Sequence, residues 1–334
     1  MSAPEDEPFT LPAGLPRAAP GRVRVLSLSG GGYRGLFTAA LIRALEARLG
    51  PDPARPTPFG QRFDLIAGTS IGGILATALS CRATGAALQA LLQRRGSSIF
   101  PPMRLRRLRK LLGRAPYDPQ RLRSAICELL PDAEQQLLGH HAPALLLPPV
   151  NWTTSKLQLL GSRPTLGQRD QLGLTLMDAM LATSAAPAHF PVHSFQHHRF
   201  VDGGLAANAP ALHALQCAQQ MYPGAEVHML SIGTANPLHG RDPSAVPGRG
   251  LMWAGPVIEL VTSAQEMLAV QECAARMGTH RYLRLNMPPS SAQQKQLDFD
   301  VADQTSTDLL LSLADDCLAS LQPADWHRLK AIVG

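Results

Sequence analysis

The sequence predicts an α/β fold in which a mainly parallel central sheet carries helices on both faces. Two observations predict it. Before Ser80 a short β-rich run, a glycine turn and a helical stretch follow one another twice; parallel strands need such crossovers, and this order is their mark. Downstream, short apolar runs keep alternating with helical stretches. There is no internal repeat and no linker that cuts the 334 residues. Residues 21–334 are therefore read as a single domain behind a leader, 1–20.

The elements follow in order. Val23, Val25, Leu26 and Leu28 make the first strand, ending in Ser29. The cluster Gly30-Gly31-Gly32-Tyr33-Arg34-Gly35 turns the chain into a helix from Leu36 to Leu49, with Leu41, Ala44, Leu45 and Leu49 at helical spacing. Gly50, Pro51 and Pro53 end it. Phe63 to Ala67 is a second buried strand; it runs into Gly68-Thr69-Ser70-Ile71-Gly72-Gly73 and a small-residue helix through Ser80. Residues 84 to 145 read as mostly helical. Leu145 to Asn151 and Leu157 to Leu160 read as strands, and Met177 to Thr183 as a short helix. Arg199 to Asp202 is a strand ending in the tight turn Gly203-Gly204. Val227 to Ile232 is a strand, Val257 to Met277 a long helix, Arg281 to Leu285 a last strand and Asp303 to Leu321 a last helix.

Composition bounds the function. Hydrophobic residues at 45% against 17% charged give ample material for a core, and 5% aromatic makes that core mainly aliphatic. The net charge of +6 fits an anionic partner such as a phospholipid surface or a nucleotide, and equally fits none. The five cysteines are odd in number, scattered and without a C-x-x-C pair, which argues against a disulfide framework or structural zinc and for a reducing cytosol. Met1 to Pro20 is acidic and rich in Pro and Ala, so it reads as a disordered leader and not a secretory signal. No uncharged apolar stretch reaches about 18 residues, so membrane contact is expected to be peripheral.

Gly68-Thr69-Ser70-Ile71-Gly72 matches G-x-S-x-G. A serine nucleophile at a strained strand-to-helix turn needs neighbours without side chains, and the helix behind it favours developing negative charge. An apolar strand before and a small-residue helix after supply that context. The first glycine turn has three readings. It satisfies the dinucleotide pattern G-x-G-x-x-G, but the second strand does not end in the acidic residue that binding mode expects. A P-loop lacks its Gly-Lys-Ser/Thr. An oxyanion hole uses both glycine turns at once, with backbone N–H groups and the charge of Arg34 facing a developing anion, and is preferred. The serine needs a base. Asp202, between a strand and two glycines, is placed to be one, although a plain turn aspartate is the commoner case. Among the late histidines, His239 in a polar loop is the alternative, which would make a triad.

GGGYRG, GTSIG and DGG in that order, with the block Ala182-Thr183-Ser184-Ala185-Ala186-Pro187 before the last, resemble the patatin-like phospholipases over about Val23 to Tyr282. The resemblance implies the patatin-like three-layer fold and a Ser–Asp dyad without histidine: Ser70 as nucleophile and Asp202 as base. It implies an oxyanion hole from Gly30, Gly31, Gly32 and Arg34, an elbow closed by Gly68 and Gly72, and hydrolysis of a lipid acyl ester with neither metal nor cofactor. The stretches LSLSGGGYRGLFTA and FDLIAGTSIGGILA are further similar to antiphage effectors of the CBASS type. That narrower resemblance implies a cytoplasmic enzyme acting at the inner face of the membrane. A cyclic dinucleotide would be its allosteric activator and phospholipid its substrate, with assembly into a homo-oligomer on activation and no DNA or RNA partner.

Weaker features remain. In RLRRLRKLLGR (Arg104 to Arg114) the leucines share one helical face, and Arg106, Arg107, Arg109 and Lys110 supply charge for an anionic bilayer, for nucleotide phosphates or simply for a solvated surface. His140-His141 and His197-His198 are adjacent pairs, whose side chains diverge on an extended segment; no metal site is expected. Met252, Trp253, Met267 and Met277 are read as core in preference to an acyl pocket.

Overall fold

The computed structural model describes residues 21–50, 58–102, 112, 115–140, 143–162, 173–236, 254–294 and 296–334. The leader, the cations Arg106, Arg107, Arg109 and Lys110, the pair partner His141, and His239, Met252 and Trp253 lie outside the described residues.

Alternation builds β1 (Arg22–Leu28): Val23 and Val25 point to one face, Leu26 and Leu28 to the other, and all four are buried. α1 (Gly35–Leu49) ends at Gly50, whose φ of 63° takes the chain out of the helix. β2 (Leu65–Gly68) is buried along its whole length, as an inner parallel strand must be. α2 (Ile71–Ser80) follows, then α3 (Gly85–Ile99) capped by the Thr84 hydroxyl, and α4 (Pro119–Leu129) capped by Asp118 with proline in its first turn. After β3 (Ala144–Leu147) come the short strands β4 (Val150–Asn151), β5 (Lys156–Leu157) and β6 (Leu160–Gly161). α5 (Leu176–Thr183), β7 (His193–Phe195), β8 (His198–Val201), the single turn α6 (Gly204–Ala207) and α7 (Ala211–Met221) lead to β9 (Glu226–Ile232). The long α8 (Ala254–Met277) and β10 (Tyr282–Leu285) precede α9 (Ser291–Gln294), α10 (Gln304–Ala319) and α11 (Pro323–Val333).

The six-stranded sheet has the order β10-β9-β1-β2-β3-β6. Its first five strands are parallel, and β6 closes the edge antiparallel to β3. The residues on its two faces belong to two separate cores. Leu26, Leu28, Ile66, Leu145 and Leu230 pack with α1 to α5, α10 and α11. Val23, Val25, Leu65, Leu146 and Met229 pack with α7 and with Cys273 and Met277 of α8. This is the expected three-layer arrangement, and Met277 serves the core.

Some elements differ from expectation. The strand read over Leu145 to Asn151 is two strands, broken at Pro148-Pro149, because proline has no N–H for the ladder. The strand read over Leu157 to Leu160 is likewise divided between two sheets. β5, β4, β8 and β7 form a second, antiparallel sheet that the sequence did not announce. The last helix stops at Ala319, and Pro323 starts a further helix with a Gln322–Asp325 capping box.

Candidate active site

Ser70 sits between β2 and α2 with φ 55° and ψ −127°. A residue with a side chain strains in that conformation by about 1–3 kcal/mol. The surrounding glycines make the turn possible. A Cβ on Gly68 would collide with the Gly72 carbonyl, and a Cβ on Gly72 with the carbonyls of Leu28 and Ser29. The turn is tied down from both sides: Ser70 N donates to Thr183 Oγ1 at 3.2 Å, and Gly73 N and Ile74 N donate to the Ser70 carbonyl at 2.9 and 3.2 Å.

Asp202 follows β8, so it reaches the site from the small antiparallel sheet, whereas Gly30, Ser70 and Thr234 follow the C-terminal ends of the parallel strands β1, β2 and β9. Its backbone N donates to the Ala185 carbonyl at 2.9 Å, which fixes it against the segment after α5. The next residue must be glycine, because a Cβ on Gly203 would overlap the Pro148 carbonyl. The Asp202 carboxylate is buried. It accepts hydrogen bonds from the Ser70 side chain and from Gly204 N, the latter at 2.7 Å. Burial pushes its pKa up from 3.8 to about 6, against the opposing pull of those two bonds. At neutral pH it is therefore an anion beside the Ser70 hydroxyl, and it can accept that proton. Among the described residues no histidine is a hydrogen-bond partner of Ser70 or Asp202. His228, for one, stands beside Glu226 at the start of β9.

The first glycine turn lies against this pair: a Cβ on Gly30 would be 3.2 Å from Ser70 Cβ. Here the expectation of three equivalent amide donors is corrected. Gly30 N already donates to the Asn208 carbonyl at 3.0 Å. Tyr33 N is held by the Phe299 carbonyl at 2.7 Å and Arg34 N by the Gly31 carbonyl at 3.1 Å. Among the described residues the amides of Gly31 and Gly32 meet no acceptor, and they are the donors left for an oxyanion. Gly32 has φ 57°, and its hydrogen faces the Phe299 carbonyl where a Cβ would clash. Arg34 is half-buried, and its buried Nε meets no acceptor among the described residues. Burial pushes its pKa down, while Glu266, Asp298 and Glu259 act to raise it.

Behind the turn stands a residue the sequence reading missed. Glu266 of α8 is buried, and each of its carboxylate oxygens accepts twice. Oε1 takes the Arg284 guanidinium at 2.6 Å and the Ser29 hydroxyl at 3.1 Å; Oε2 takes Asn208 Nδ2 at 2.6 Å and Asn236 Nδ2. Asn208 also brackets Gly30 on both sides, and Thr234 Oγ1 donates to the Gly30 carbonyl at 2.9 Å. The neighbouring Gln265 holds the Gly204 carbonyl at 3.0 Å. One signal was available: Glu266 lies on the same helical stripe as buried Ala269 and Cys273. A carboxylate there is buried and must be paired.

No described helix is long and apolar enough to cross a membrane. The described residues hold no group of three or more His, Cys, Asp or Glu fit for a metal ion.

Residues 26–215 match the family model "Patatin-like phospholipase". A "cGAMP-activated phospholipase" of Pseudomonas aeruginosa is 34% identical, with 82% of each chain covered. Another of that name, from Escherichia coli, is 32% identical with 92% of each chain covered. Among solved structures, the human GIVD cytosolic phospholipase A2 covers 93% of this chain and 59% of its own, at a TM-score of 0.43 and 13% identity. The family match, set beside two relatives that align along most of their length, places this chain among the patatin-like phospholipases.

Proposed function

We propose that this chain is a phospholipase that cleaves an acyl ester of membrane phospholipid through a Ser70–Asp202 dyad and is switched on by a cyclic dinucleotide. One observation carries the dyad: a serine in a strained turn donates to a buried aspartate that is ionised at neutral pH. Ser70 Oγ attacks the ester carbonyl while Asp202 takes its proton. The amides of Gly31 and Gly32, with the charge of Arg34, offset the negative charge on the carbonyl oxygen. The leaving alcohol takes the proton from Asp202. Asp202 then removes a proton from water, which attacks the acyl-serine; as the fatty acid leaves, Ser70 Oγ takes that proton back from Asp202. The names of the relatives support the activator, and we read the enzyme as a cytoplasmic one meeting the bilayer peripherally.

The test is fatty-acid release from phospholipid vesicles with and without cyclic GMP–AMP. Ser70→Ala is expected to abolish release, and Asp202→Asn to lower it by about 10³-fold or more. Release by Asp202→Asn at the wild-type rate would remove Asp202 as base. Release equal with and without nucleotide would remove the switch and leave the hydrolase.

A further inference from the structure

We infer that the cavity beside the small antiparallel sheet is where a cyclic dinucleotide docks. This rests on the activated-phospholipase reading above and gives the switch a location.

The cavity holds about 230 Å³ between β4, β5, β7 and β8. Its lining mixes the aromatic rings of Phe195 and Phe200 and apolar Leu160 with the side-chain amides of Asn151 and Gln158. Among the described residues, Lys156 and His198 are the ones lining it that can carry positive charge, and none of the described lining residues is a carboxylate. An aromatic face, side-chain amides and cations without acids are the chemistry of a nucleobase joined to a phosphate. The volume lies below the roughly 300–1,000 Å³ that encloses a whole ligand of drug size. The cavity therefore seats one base, and the phosphates lie at its mouth, where Lys156 is exposed.

The wiring to the dyad is short and double. Asn151 on β4 and His198 on β8 meet in the cavity lining, with Nδ2 and Nδ1 3.3 Å apart, and Asn151 Nδ2 also donates to Gln158 at 2.7 Å. β8 runs from His198 directly into Asp202. β4 is preceded by Pro148, whose carbonyl accepts from Thr183 Oγ1 at 3.3 Å; that same oxygen accepts from Ser70 N. Two of the strands that line the cavity are thus linked to opposite members of the dyad: β8 continues into Asp202, and β4 connects through Pro148 and Thr183 to the Ser70 amide. A ligand that pulls Asn151 and His198 into new hydrogen bonds shifts Asp202 against Ser70.

The experiment is a calorimetric titration of the full chain with cyclic GMP–AMP. Unstimulated labelling of Ser70 by a fluorophosphonate and the melting temperature are measured beside it. Lys156→Glu and Phe195→Ala are each expected to weaken binding by about tenfold or more, and Lys156→Arg to retain it. Labelling is expected to stay at wild-type values in all three, and melting in the two Lys156 variants; Phe195→Ala, which also trims a side chain packed against the core, is expected to melt lower. Wild-type affinity in both Lys156→Glu and Phe195→Ala, or no binding by the wild-type chain, overturns the site. Displacement of the nucleotide by equimolar glycerol phosphate assigns the cavity to a lipid headgroup and overturns it too. Nucleotide binding that depends on Lys156 without fatty-acid release from vesicles would sink the phospholipase reading and leave this site standing.

Discussion

Burial leaves Asp202 with a carboxyl pKa of about 6, and two consequences follow at the scale of that residue. The base must be ionised to work, so kcat/KM is expected to fall on the acid side with a midpoint near 6. A midpoint near 4 would show that the carboxylate is solvated during turnover. Stability moves the other way. Between 3.8 and about 6 the unfolded chain releases a proton that the native state retains. The contribution of this group is therefore present below about pH 4 and is lost as pH rises through about 6. Asp202→Asn is expected to be more stable to unfolding than wild type at pH 8, by up to about 3 kcal/mol, and to lose that advantage near pH 4. Ser70 and Asp202 were legible in the sequence because the backbone around them tolerates only glycine, and glycines show in a string of letters. Glu266 was not, because a buried glutamate is written like an exposed one; only its place on an apolar stripe sets it apart.

At the scale of the element, α8 does two things that its sequence period shows only in part. Its end at Met277 was readable from apolar spacing, while it starts at Ala254, ahead of the expected Val257. Its use as a support for the oxyanion turn depends on Arg284, Ser29, Asn208 and Asn236, which come from four distant parts of the chain. Glu266→Gln leaves the Arg284 charge without its partner in a buried place. Breaking such a pair costs about 3 kcal/mol, which urea unfolding will measure. The same variant is expected to lower kcat with KM nearly unchanged, since the turn it supports positions donors and does not hold substrate. A change in KM alone would mean that Glu266 acts on binding. The small sheet was the least legible element. Its strands β4 and β5 have two residues each, too few for any alternation to register, and only Pro148-Pro149 marks where one sheet gives way to the other.

For the whole molecule, the dyad is assembled from two sheets, and its geometry is a property of how they are joined. Triad chemistry makes a different demand: loss of a triad histidine removes most of kcat, whereas replacing His213, His228, His280 or His327 singly by Gln is expected to leave vesicle hydrolysis within about twofold of wild type. All five cysteines are free thiols. The melting temperature is accordingly expected to be the same with and without reductant; a drop on reduction would reveal a bridge between chains. The parallel sheet and its two helical layers could be read in advance because glycine turns and long apolar runs punctuate them. The arrangement of Ser70 has one more consequence, for how such a protein changes over generations. Its backbone occupies a shape that suits glycine, so Ser70→Gly is expected to be more stable than wild type, by about 1 kcal/mol after the added freedom of the unfolded chain is subtracted, and to melt higher. Drift toward stability alone would erase the hydroxyl. Its persistence in a lineage is then a record of continuing selection for turnover, and a dead descendant of this enzyme would be recognised by a glycine at that position.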